Sequence, residues 1–272
     1  MNNAEISHLQ KVARRVRQNI VKMLHKAGAG HPGGSLSVVE ILVALYFEVM
    51  RIDPCSPNWE ERDRFILSKG HAAPALYAVL AARGYFPEEE LLTFDAIDSR
   101  LQGHPCMKTT PGVDMSSGSL GQGLSVGLGM ALGAKLKQKD FRVWVLLGDG
   151  ELQEGQVWEA AMAAVKYRTT NLTAIVDMNG LQLMGKVSEI MPIASARAKW
   201  EAFGWAVTEI DGHDFREIIS AMRDATDTAR PVVILANTIK GKGVSFMENQ
   251  VYWHSAAISD KQLQLAMGEL AP

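Results

Sequence analysis

The sequence has little of what marks a secreted, membrane or nucleic-acid-binding protein. Its 272 residues include only two cysteines, Cys55 and Cys106, which fit no metal-ligand spacing and are too few for a disulfide framework. Both are expected to be plain thiols in a reducing cytoplasm. Neither sign of charge dominates. With 28 basic and 30 acidic residues the formal net charge is −2, which argues against a general affinity for nucleic acid or anionic membrane. The first residues, Met1-Asn2-Asn3-Ala4-Glu5, lack the charged-then-apolar layout of a signal peptide, and the most apolar later stretch is interrupted by Glu40 and Glu48. There is no repeat, heptad run, low-complexity segment or Pro/Ser-rich linker. What remains is a chain with 47% hydrophobic residues, enough for a sizeable core, and one domain over residues 1–272 is the expectation.

The most informative stretch runs from Val143 to Asn179. An apolar run, Val143 to Leu147, breaks into Gly148-Asp149-Gly150, and Trp158, Met162 and Val165 then recur at helical spacing. A second apolar run, Leu172 to Val176, ends in Asp177-Met178-Asn179-Gly180. This predicts a βαβ unit whose two loops open on the same edge of a parallel sheet. Asp149 and Asn179 could then supply two of the roughly six oxygen ligands that Mg²⁺ takes beside a diphosphate. Each loop alone reads more simply as a turn, since these residues favour turns for conformational reasons.

Upstream, Leu9, Val12, Val16, Ile20, Met23 and Leu24 predict an amphipathic helix over 5–27 that stops at Gly28. His31 falls in a glycine-rich loop, and Ser37 with Glu40 reads as a capping box opening a helix over 38–49. A short strand, Arg64 to Ser68, leads into Lys69-Gly70-His71-Ala72 and an alanine-rich helix to about Arg83. His71 at such a junction suits an anion near the helix start, or simply caps the helix. Residues 101–117 have little periodicity, as a loop built for a site would. Gly118 to Gly123 opens another helix, and glycines of this kind serve many ligands or close packing. Past Asn179 a loop is expected over 181–194, with strands at 205–210 and 231–238 and a helix at 214–226 between them. Asp211-Gly212-His213-Asp214 is most simply a turn and N-cap, so His213 is expected to be structural.

Taken together, Gly148-Asp149-Gly150 and the later Asn179 resemble the thiamine diphosphate fingerprint, and Asp177 to Gln182 looks like its transketolase form. Gly30-His31-Pro32-Gly33, Lys69-Gly70-His71-Ala72, Gly103-His104-Pro105, Gly118 to Gly123, Thr238-Ile239-Lys240-Gly241 and Trp253-His254 resemble further transketolase motifs, in family order. Two departures stand out: Ser119 where many relatives carry proline, and Ser255 where the family has glycine. The resemblance covers roughly residues 10 to 255. It implies an α/β fold, doubly wound, with a mainly parallel sheet and helices on both faces.

By the same resemblance, Asp149, Asn179 and the Leu181 carbonyl would hold Mg²⁺ (or Ca²⁺ or Mn²⁺). His71, Gly118, Leu120, Gly150, Glu154, Asn179 and Lys240 would hold thiamine diphosphate, with Glu154 concerned more with communication between sites. His31, His104 and His254 would meet sugar hydroxyls and shuttle protons. The reaction implied is transfer of a two-carbon ketol unit from a ketose phosphate to an aldose phosphate. The pyrimidine-binding domain of a transketolase does not follow His254, so the chain is expected to be the N-terminal subunit of a split enzyme. It would work with a C-terminal subunit, in a heterotetramer or around a homodimer of this chain. Unusual catabolic sugars, and another thiamine class such as a 2-oxo acid dehydrogenase α subunit, are the alternatives.

Overall fold

Alternate side chains of the strands at 64–67, 143–148, 172–178 and 232–237 face two separate hydrophobic cores, the arrangement that near-continuous apolar strands require. The computed structural model describes residues 1–271. Its first three strands are β1 (Arg64–Leu67), β2 (Val143–Gly148) and β3 (Leu172–Met178), followed by a separate antiparallel hairpin of β4 (Leu181–Gln182) and β5 (Gly185–Lys186). Strands β6 (Ala206–Asp211) and β7 (Val232–Asn237) complete a five-stranded, wholly parallel sheet in the order β1-β2-β3-β7-β6.

One face of the sheet, with Phe65, Trp144, Leu146, Ile175 and Ile234, packs against α1 (Asn3–Ala27), α2 (Pro32–Leu36), α3 (Val39–Ala44) and α4 (Ala73–Arg83). The other, with Ile66, Val145, Leu147, Val176 and Val233, carries α5 (Gln122–Leu136) and α6 (Gly155–Lys166). Helix α5 comes close because Gly127 lies on the sheet: a Cβ there would be 2.6 Å from Val145 Cγ2. After the hairpin come α7 (Val187–Ile190) and α8 (Ala196–Ala202), whose Trp200 joins the α5–α6 side. Helices α9 (Phe215–Asp224) and α10 (Asp260–Glu269) return to the α1 side. Helices thus cover both faces, as expected. Among the described residues no helix is long and apolar enough to cross a membrane.

Helix α1 has the predicted stop, with Gly28 in the left-handed region at φ 70°. Three local expectations fail for tertiary reasons. The glycine loop after His31 is itself a short helix, α2, opened by Pro32 with His31 at its N-cap. Ser37 and Glu40 do not form a capping box, because Ser37 Oγ donates to Asp177 Oδ2 at 2.7 Å and the Glu40 carboxylate is taken by Arg17. Helix α3 therefore starts without a side-chain cap, and Leu45–Val49 continues as a π turn. The expected loop over 181–194 contains the β4–β5 hairpin and α7. Helix α8 has no counterpart in the sequence reading.

Candidate active site

Because the strands are parallel, β1, β2, β3 and β7 all deliver their C-terminal loops to one edge. There lies a cleft of about 260 Å³. His71, Leu120, Asp149, Gly150, Glu154, Asn179, Leu181, Lys240 and His254 line it. His31 stands at its rim, with ring centroids 5.3 Å from His71 and 5.6 Å from His254, and His104 lies 6.3 Å beyond His31. Gly118 packs against His104, where a Cβ would be 3.3 Å from Cδ2. Every residue that the resemblance assigned to the site is therefore in or beside one cleft.

The floor of the cleft consists of residues that the sequence reading passed over. Asp177, fully buried in β3, accepts from Lys69 Nζ at 2.5 Å, from Ser37 Oγ and Asn179 Nδ2 at 2.7 Å, and from Thr238 Oγ1. Lys69 Nζ also donates to the Gly34 carbonyl at 2.8 Å. One carboxylate thus joins four segments of the site. Burial alone would raise its pKa, but the Lys69 ammonium and the donors around it hold it below the usual range. Since Asn179 gives an amide hydrogen to Asp177, its Oδ1 faces the other way, accepting from Leu181 N at 3.1 Å with a lone pair to spare.

A second buried carboxylate, Glu151, accepts from Gly121 N at 2.8 Å, Gly148 N at 2.9 Å and Ser68 Oγ. It ties the β1, β2 and α5 loops together. Gly121 has φ 80°, and a Cβ on it would lie 2.7 Å from Glu154 Cβ, so only glycine fits. The sequence signal for these residues was adjacency: Lys69 precedes His71, Asp177 precedes Asn179 by two, and Glu151 follows Gly150.

The mouth is less completely paired. Asp149 accepts from Gly150 N at 2.8 Å and Gly180 N at 2.5 Å, and among the described residues no cation forms an ion pair with it. Burial, then the neighbouring Asp177, push its pKa up to about 6. Lys240 Nζ donates to the Leu181 carbonyl at 2.8 Å and to His254 Nδ1 at 2.9 Å. Burial, then Lys69, bring Lys240 down to about 8. His254 is lowered to about 3 by burial and then Lys240, and His71 and His31 are lowered, chiefly by burial.

These features fit an anion and a hard cation side by side. The Asp149 carboxylate, Asn179 Oδ1 and the Leu181 carbonyl are all oxygen donors, few in number, as Mg²⁺ prefers. Among the described residues no group of three or more His, Cys, Asp or Glu could hold a metal. Burial first, and then the crowding of the nitrogen bases, suppress their charge, and a diphosphate between them would favour it again.

The family model for "Transketolase, thiamine diphosphate binding domain" matches residues 8–270. The chain belongs to the transketolase family. It is 46% identical over 263 residues to SqwG, the 6-deoxy-6-sulfo-D-fructose transketolase subunit of a Clostridium species, covering 96% of each chain. It is 42% identical over 268 residues to one of the subunits of the apulose-4-phosphate transketolase of Phocaeicola vulgatus, covering 98% of this chain and 95% of that one. Among solved structures, the transketolase of Campylobacter jejuni superposes with a TM-score of 0.93 at 33% identity, over 99% of this chain and 43% of that one. This chain thus has the length of the transketolase subunits and less than half that of the Campylobacter transketolase.

Proposed function

We propose that this chain is the diphosphate-binding subunit of a two-subunit transketolase. With a partner chain that supplies a pyrimidine-binding domain, it would transfer a two-carbon ketol unit from a ketose to an aldose in the cytoplasm. The observation that carries the reading is the cleft itself. An unpaired buried carboxylate, a lysine and uncharged histidines converge at the strand ends, in a chain covering 96% of a named transketolase subunit.

In this reading Asp149, Asn179 Oδ1 and the Leu181 carbonyl hold Mg²⁺, or Ca²⁺ or Mn²⁺ in its place. His71, the glycine backbone at Gly118 and Gly150, Leu120, Glu154 and Lys240 hold thiamine diphosphate. The chemistry supplied by the bound cofactor is an electron sink for breaking a C–C bond beside a carbonyl. Lys240 contributes positive charge at the diphosphate end. His254 accepts from Lys240 at Nδ1, which keeps its own proton on Nε2, available to donate to a sugar hydroxyl. His31 and, next to it, His104 add further imidazoles that would meet the sugar. The names of the two subunit relatives favour, as a second reading, the same transfer on an unusual sugar. A panel including sulfonated and branched ketoses would separate the two.

The central test is a ketol-transfer assay with the purified chain alone and with the product of a neighbouring partner gene added. Transfer is expected only in the mixture, with thiamine diphosphate and Mg²⁺. Full activity from this chain alone would overturn the two-subunit reading.

A further inference from the structure

Behind the cleft lies a buried ionic cluster for which the proposed chemistry has no use. Arg17 on α1 and Glu40 on α3 are both buried, and they pair through two bonds, Nη1 to Oε1 at 2.6 Å and Nη2 to Oε2 at 2.7 Å. His213, from the turn between β6 and α9, joins them with Nδ1 at 3.0 Å from Glu40 Oε2. Its other nitrogen, Nε2, accepts from the backbone amide of Ile239 at 2.8 Å. An amide can only donate, so Nε2 carries no proton and Nδ1 donates to Glu40. The ring is fixed in one tautomer by partners on both sides.

The far end of the cluster returns to the same segment. Arg17 Nε donates to the Lys242 carbonyl at 2.9 Å. His213 and Arg17 therefore grip the chain at 239 and at 242, and Lys240 lies between. Within the grip, Gly241 N donates to the Gly33 carbonyl at 3.0 Å, and the Lys240 carbonyl accepts from Asn249 N at 2.9 Å. The Lys240 side chain, 2% exposed, then reaches Leu181 and His254. A lysine has four rotatable bonds, and holding its backbone on both sides leaves the ammonium fewer places to go.

We propose that His213 is a positioning residue for Lys240, holding the 239–242 turn against the Glu40–Arg17 pair so that the Lys240 ammonium meets the cofactor diphosphate. This rests on the reading of Lys240 given under the proposed function. His213 touches neither cofactor nor substrate, and a purely structural role would give it a different signature.

The test is a double-mutant cycle on the assembled two-subunit enzyme, with thiamine diphosphate affinity measured by calorimetry at saturating Mg²⁺. His213→Ala should weaken binding by about tenfold, as loss of an outer-shell partner does. Lys240→Met should weaken it at least as much, and the double variant should be no worse than Lys240→Met, because nothing remains to be positioned. Losses that multiply would overturn the proposal. Wild-type affinity in Lys240→Met alone would refute the role of Lys240 and the proposal with it, an outcome distinct from multiplying losses. Should His213→Ala not assemble, long-range proton–nitrogen spectra of the unaltered protein give the second test. The His213 proton is expected on Nδ1, and a proton on Nε2 would remove the contact on which the proposal stands.

Discussion

At the edge where all the strands end, the floor of the cleft and its mouth treat charge in opposite ways. Asp177 on the floor and Asp149 at the mouth come from neighbouring strands, with Gly148 opposite Asp177 in the register, and both are buried. Asp177 has an ammonium and three neutral donors, and its acidity is enhanced. Asp149 has two backbone amides and a like-charged neighbour, and its pKa rises to about 6. The difference separates structural charge from functional charge. The floor satisfies itself, whereas the mouth keeps a buried carboxylate without a counterion among the described residues, the place the proposed function gives to the metal ion.

Removing one partner from the floor should have the largest effect. Asp177→Ala strands Lys69 without a counterion, and urea unfolding should show a loss of about 3–5 kcal/mol. A loss below about 1 kcal/mol would mean that the floor is no better paired than the mouth. Glu40 belongs with the paired groups: although burial opposes its charge, Arg17 and His213 lower its pKa to about 2. Its ordinary value is 4.5, so its stabilisation is complete above about pH 4.5 and is lost as the pH falls through 2. The contribution is on the order of 3 kcal/mol, and Glu40→Gln should flatten the acid limb of stability against pH. An unchanged limb would assign the acid sensitivity elsewhere.

At the mouth the signs reverse. Asp149→Asn removes an unpaired buried charge, so folding stability without cofactor should hold or rise, while thiamine diphosphate affinity with Mg²⁺ falls about a hundredfold by calorimetry. A variant as unstable as Asp177→Ala would erase the distinction. His254→Ala should have the smallest effect, about a tenfold drop in turnover from one lost hydrogen bond, with cofactor affinity changed less. Unchanged turnover would show that Ser255 marks a displaced loop.

The same division explains what could be read in advance. Helix α1, strands β2 and β3 and the glycine loops were readable because periodicity and turn chemistry act locally. Residues of the mouth followed from motif resemblance. Ser37 and Glu40 misled because their local pattern suggests a cap, yet Asp177 and Arg17, distant in sequence, claim both side chains. Helix α8 was missed because its seven residues offer too few turns for a period. Lys69, Asp177 and Glu151 stood beside recognised residues, but the bonds that tie the loops together span 30 to 140 positions, a relation that no local pattern encodes.

Strand β7 lies between β3 and β6, although it follows both in the chain. During synthesis, a ribosome that has completed β6 has released a sheet with a gap between β3 and β6, with the β3 edge unpaired and no Lys240 or His254 yet made. Such edges pair readily with other chains. Closure of the sheet and completion of the cleft are therefore one late event, set by the emergence of the final forty or so residues. Until then the unpaired edge of β3 is the newborn polypeptide's most exposed hazard.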